Sequence, residues 1–142
     1  MSGGIIQFKF PVTPTPKGRH RTTMNKKTGV VRSYKPEKTR KFENYIKYAS
    51  RKQYKGDFLL GPIVVEMWFY MLKPKTSKNE YPIVKPDLTN LAKSVEDGLN
   101  LIAYKDDSQI VDEHLYKRYT TEEKAYILVT IGKLNEDPVE SI

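Results

Sequence analysis

The stretch Lys85-Pro86-Asp87-Leu88-Thr89-Asn90-Leu91-Ala92-Lys93-Ser94-Val95-Glu96-Asp97-Gly98-Leu99-Asn100 carries an apolar stripe at helical intervals behind an extended Pro-Asp entry. Leu88, Leu91, Val95 and Leu99, with Ala92 beside them, form the stripe, so the spacing predicts a helix over about 88–101. Lys93, Glu96, Asp97 and Asn100 fall elsewhere on its circumference. Upstream, Gly61-Pro62 opens a strand over Ile63 to Leu72, where Ile63, Val65, Met67 and Phe69 point one way and Val64, Glu66, Trp68 and Tyr70 the other. Both faces are rich in large apolar groups, which predicts a largely covered strand. Downstream, Lys105-Asp106-Asp107 lies in a short turn, followed by extended stretches at Gln109–Tyr119 and Ala125–Ile131. The polar run Thr120 to Lys124 between them suggests a terminal hairpin, with a frayed polar tail from Asn135.

Toward the amino terminus, Ile6, Phe8 and Phe10 alternate with Gln7 and Lys9, the pattern of a strand with one buried face. Pro11, Pro14 and Pro16 end it. Residues 17–35 are basic and turn-rich, which predicts a hairpin or flexible arm, and Phe42, Tyr45, Ile46 and Ala49 predict a helix over about 36–54. The other face of that helix carries Lys38, Lys41, Lys47, Arg51 and Lys52, a stripe suited equally to DNA or to solvent.

At 142 residues, with 38% hydrophobic and 11% aromatic content, the chain suits one compact domain. Its net charge of +8 is unevenly spread. Residues 1–60 hold fifteen Lys or Arg against three acids, a balance of +12, whereas residues 61–142 hold ten against fourteen, a balance of −4. The first part is the footprint expected for a polyanion, since neutralising phosphates releases counterions; a merely basic protein is the plain alternative. Absence of cysteine excludes disulfides, thiolate metal sites and cysteine nucleophiles. No phosphate-binding loop supports a nucleotide cofactor. No apolar run reaches the roughly 18 residues of a membrane span and no secretory leader precedes Ile5, so the expected setting is cytoplasmic, without membrane attachment.

The acids gather around the central helix. Asp87 stands at its start and Asp106-Asp107 beyond its end, and a helix of this length, about 21 Å, keeps its ends apart unless the chain after Leu101 turns back. If the carboxylates meet, hard oxygen ligands without His or Cys favour Mg²⁺, with Mn²⁺ as a substitute. Plainer readings stand beside this one: Asp87 as a helix cap, Asp106-Asp107 as a polar turn, and Lys93 as an i,i+4 partner of Asp97. Glu66 is either a further carboxylate near the site or an exposed edge group. Asp112 and Glu113 are read as surface residues. His20 and His114 lack metal-ligand spacing.

The ordered run from Lys85 to Asn100, continued by Ile102-Ala103-Tyr104-Lys105-Asp106-Asp107-Ser108-Gln109-Ile110 and preceded by Pro14-Thr15-Pro16-Lys17-Gly18-Arg19, closely resembles the RusA family of Holliday-junction resolvases. The resemblance implies an α+β fold, a small single domain with a mixed β-sheet packed by helices. That domain would span residues 1–134, with a basic arm at about 13–35 and a polar tail at 135–142. It further implies a homodimer that binds four-way or otherwise branched DNA and cuts it by Mg²⁺-dependent hydrolysis. By motif, Asp87, Lys93 and Asp107 match the catalytic positions, and Asp87, Asp106 and Asp107 the metal positions. Lys17, Arg19, Arg21, Lys26, Lys27 and Arg32 are the DNA-binding candidates. One position departs from the family pattern: the usual second aspartate, two residues after the first, is Thr89, whose hydroxyl lacks a carboxylate's charge. A nuclease for other branched DNA and a junction-binding protein with weakened catalysis therefore remain as alternatives.

Overall fold

The computed structural model describes residues 4–134, so the expected tail at 135–142 lies outside the described residues. Six strands and two helices run in the order β1 (Ile6–Phe10), β2 (Arg21–Met24), β3 (Val31–Tyr34), α1 (Glu37–Gln53), β4 (Ile63–Met71), α2 (Leu88–Leu99), β5 (Ile110–Tyr119) and β6 (Tyr126–Lys133). Strands β1, β6, β4 and β5 lie side by side in that order. The β1–β6 and β6–β4 pairs are antiparallel, while β4–β5 is parallel, joined through α2. The fold is the expected α+β domain with a mixed sheet.

Alternation decides which face of the sheet meets the helices. Ile6, Phe8 and Phe10 of β1, Ile63, Val65, Met67 and Phe69 of β4, and Ile127, Val129 and Ile131 of β6 are buried beneath Phe42 and Ile46 of α1 and Leu91, Val95 and Leu99 of α2. The two helices close on each other at Gly98, where a Cβ would lie 2.7 Å from Ile46 Cβ. Among the described residues, the opposite face has no second layer. Its half-buried rings cover one another instead: Trp68 stacks on Tyr116 at 3.9 Å and Tyr70 on Tyr126 at 4.5 Å between centroids. Glu66 belongs to this open face, across the sheet from α2, so it is not a further carboxylate of the acidic site.

The expected terminal hairpin does not form. β4 lies between β5 and β6, pairing with each, because β6 buries alternate residues completely and takes an interior place. β5, only half covered, takes the edge. A period of two specifies a face, not a neighbour.

The basic arm is a hairpin, β2 against β3, with every residue of both strands exposed. Its turn closes through Asn25, whose N–H donates to Val30 at 2.9 Å and whose carbonyl accepts from Gly29 N–H at 2.7 Å; Gly29 supplies the positive φ of 70°. The arm is rooted where Gly18 N–H donates to Thr39 Oγ1 at 2.8 Å, an approach with no room for a side chain on residue 18.

Candidate active site

The carboxyl end of α2 answers whether the acids can approach one another. Leu101 adopts a left-handed φ of 68°, and its N–H donates to the Tyr104 carbonyl at 2.8 Å, turning the chain back on the helix. Tyr104, fully buried, donates its hydroxyl to the Glu96 carbonyl at 2.8 Å. Beyond it, Asp106 caps a single 3-10 turn (Asp107–Gln109), its Oδ2 accepting from Ser108 N–H at 3.0 Å. The Gln109 side chain locks that turn: Oε1 accepts from Lys105 and Asp106 N–H, while Nε2 donates to the Leu59 and Gly61 carbonyls. The result brings Asp107 Oδ2 to 2.7 Å from Lys93 Nζ, in the middle of the helix.

Lys93 therefore has two acidic partners, Asp107 and, at 3.3 Å, the Asp97 expected from spacing. The hydrogen bond to Asp107 is the largest cause that raises the Lys93 pKa above its usual value, so the ammonium is a permanent cation. Burial alone would raise the Asp97 pKa, but Lys17 and Lys93 outweigh it and hold it low. Hydrogen bonds from Ser108 hold Asp106 below the usual carboxylate range. Lys17 is committed to Asp97 and set apart from the exposed arm candidates Arg19, Arg21, Lys26, Lys27 and Arg32. Lys47, assigned by sequence to a basic stripe, turns to the carbonyls of Asp97 and Asn100 at the end of α2.

Asp87 occupies the cap position of α2, exposed, with no side-chain capping bond, and Thr89 does not provide one either. Six residues of helical rise set its backbone about 9 Å before that of Lys93 along the axis. Lys117 on β5 fixes the approach to it, donating to the Val84 carbonyl at 2.7 Å and the Pro86 carbonyl at 2.9 Å. The root of the arm runs beside the same helix: Lys17 N–H donates to the Asn90 carbonyl, and Ser94 Oγ donates to the Thr15 carbonyl at 2.6 Å. Asp107 and Lys93 are thus brought together. Among the described residues, however, no three carboxylate or imidazole side chains converge as a metal-binding group, so Asp87, Asp106 and Asp107 are not gathered into one.

Sequence reading missed a second acidic pair. Glu113 on β5 is half-buried on the α2 side of the sheet and lies beside Glu96. Burial first, then Glu113, pushes the Glu96 pKa up to about 9, so the pair holds a proton at neutral pH. Glu113 Oε2 is buried without a partner. The parity of β5 was the available signal, since Glu113 shares a face with Leu115 and Lys117. An all-oxygen donor set with an exposed, uncapped Asp87 has the chemistry that a hard divalent cation takes.

The Glu96 shift has a sign that can be tested. Between its ordinary carboxylate value and about 9, the folded chain keeps a proton that the unfolded chain releases. The stabilisation is complete below that window and is lost as pH rises through it. Denaturant melts should show stability falling from about pH 5 to about pH 9, and Glu96→Gln should flatten that slope. An unchanged slope in the variant would remove the shared proton.

The family model for endodeoxyribonuclease RusA matches residues 11–131. YqaN of Bacillus subtilis (strain 168), an uncharacterised protein, is 29% identical, the match covering 87% of this chain and 94% of its own length. Among the described residues, no helix is long and apolar enough to cross a membrane.

Proposed function

Because the chain belongs to the RusA family of endodeoxyribonucleases, we propose that it resolves four-way DNA junctions by metal-dependent hydrolysis of paired phosphodiester bonds. The observation that carries this reading is the return of the chain after α2, which sets Asp107 against Lys93 beside the root of a basic arm. Asp87 and Asp107 would hold Mg²⁺, or Mn²⁺ in its place, with Asp106 orienting water. When bound, such an ion polarises the phosphodiester and lowers the pKa of the attacking water.

The chain's own residues supply the rest. Lys93, charged at any working pH, neutralises charge that develops on the scissile phosphate, and Asp97 keeps its ammonium in place. Arg19, Arg21, Lys26, Lys27 and Arg32 line an exposed hairpin that follows the DNA backbone. A symmetric pair of chains presents one site for each of two opposed cuts.

Nicking of labelled four-way, flap and linear DNA with Mg²⁺ or Mn²⁺, beside binding in chelator, tests the reading. Paired symmetric nicks confined to the four-way substrate are expected. Preferential cutting of flaps would replace junction resolution with a broader branched-DNA nuclease. Tight junction binding without nicking under either metal would favour the binding protein that Thr89 suggests. In the same binding assay, replacing Arg19 and Arg21 by Gln should lower the slope of log affinity against log salt by about 0.9 for every phosphate no longer neutralised. An unaltered slope would separate the arm from DNA.

A further inference from the structure

A cleft of about 470 Å³ opens at the carboxyl ends of β4 and β5, on the acidic half of the chain, and is lined by Lys73, Lys78 and Arg118 with Tyr81 and Tyr119. Glu80 is the one acid on its wall. Among the described residues, none of these three cations is in an ion pair. A half of the chain with a balance of −4 thus collects three unpaired cations against one acid in one concavity.

Arg118 is built into the cleft. Its guanidinium lies 5.5 Å from the Trp68 ring, 5.1 Å from Tyr81 and 5.6 Å from Tyr116, and its one side-chain hydrogen bond goes to the carbonyl of Lys117 at 3.0 Å. The rings set the plane of the fork while most of its five donors stay available, the arrangement that favours bidentate capture of a phosphate. Lys73 rests 5.9 Å from the Tyr119 ring at the same mouth. We infer that this cleft is a second binding site for the phosphodiester backbone of DNA, separate from the amino-terminal arm. The inference rests on the endonuclease reading above and names an interaction that reading does not need.

The position matters for the cut. Lys117 and Arg118 are consecutive on β5 and face opposite sides of the sheet, and both grip the segment that leads to Asp87: Lys117 through the Val84 and Pro86 carbonyls, Arg118 through the Tyr81 ring. A strand held at the cleft is therefore tied through one short segment to the start of α2. The plainer role for Arg118, covering the aromatic face with its stem, explains neither Lys73 nor Lys78.

Fluorescence anisotropy in chelator, with labelled duplex and four-way junction over a salt series, tests the cleft independently of catalysis. Lys73→Gln with Lys78→Gln, both on exposed positions, should weaken binding several-fold and lower the salt slope by about 0.9 for each phosphate left unneutralised. Arg118→Gln should lower it further, and Arg118→Lys should restore slope but not full affinity, because charge returns without the fork. A lower melting temperature with an unchanged slope would reduce Arg118 to packing, and a wild-type slope in the double lysine variant would overturn the site. The Arg19 and Arg21 variants serve as reference. If they lose slope and the cleft variants do not, only the cleft is wrong; wild-type chain without salt-dependent binding would take the endonuclease reading with it.

Discussion

Nicking of a four-way junction by the Asp107→Asn chain is expected to fall at least about a hundredfold while junction binding holds or tightens. The asymmetry follows from charge. The substitution removes an anion from a site that must receive a polyanion, so encounter with DNA loses a repulsion, whereas the proposed cation loses a ligand. Lys93 keeps Asp97 at 3.3 Å, so its ammonium stays near the helix, and asparagine preserves the shape of residue 107. Asp106→Asn should cost less, because an amide oxygen can still accept from Ser108 and hold the 3-10 turn. Quantified nicking with Mg²⁺ and with Mn²⁺, beside anisotropy in chelator, checks both. Wild-type cleavage by the Asp107 variant under either ion would end its assignment as a ligand.

The largest effect on stability is expected at Tyr104, whose replacement by alanine should cost about 3–5 kcal/mol, as for other large aromatic side chains removed from a core. Tyr104 is fully buried, and its hydroxyl and carbonyl both serve the turn that returns the chain to α2. Its removal leaves a void in the core and frees Asp107 from its place beside Lys93, so nicking should fall with stability. Tyr104→Phe separates the two effects: it keeps the ring and drops one hydrogen bond, for about 1 kcal/mol. Thermal melts and nicking rates on both variants make the check. A stable Tyr104→Ala chain with full activity would show that the turn does not depend on this residue.

The parts of the fold with local causes were legible from residue order. Periodicity in Phe42, Tyr45 and Ile46 and in Leu88, Leu91 and Val95 fixed both helices to within two residues at each end, and alternation in Ile6–Phe10 and from Ile63 onward fixed two strands and their buried faces. Asn25 to Gly29 marked the hairpin of the arm. Pairings across the chain were not legible, because a strand's own residues do not say which strand lies beside it. β5 and β6 were joined as neighbours for that reason. The same blindness hid the pair Glu96–Glu113, which exists only because α2 lies over β5, and the partnership of Lys17 with Asp97, which depends on the arm's root running along α2. Family resemblance pointed to Asp107 and Lys93 together; residue spacing alone did not.

The place of β1 in the sheet sets the order in which the molecule can be completed. Its only partner strand among the described residues is β6, so Ile6 must wait for Ile131 and Phe10 for Ile127. During synthesis β1 emerges with three large apolar side chains and no edge to join until β6 arrives. Long-range pairings of this kind slow folding and lengthen the exposure of sticky intermediates. The β1–β6 ladder is therefore the final seam of the domain, and a nascent copy halted before residue 126 carries an unfinished sheet whatever the quality of its helices.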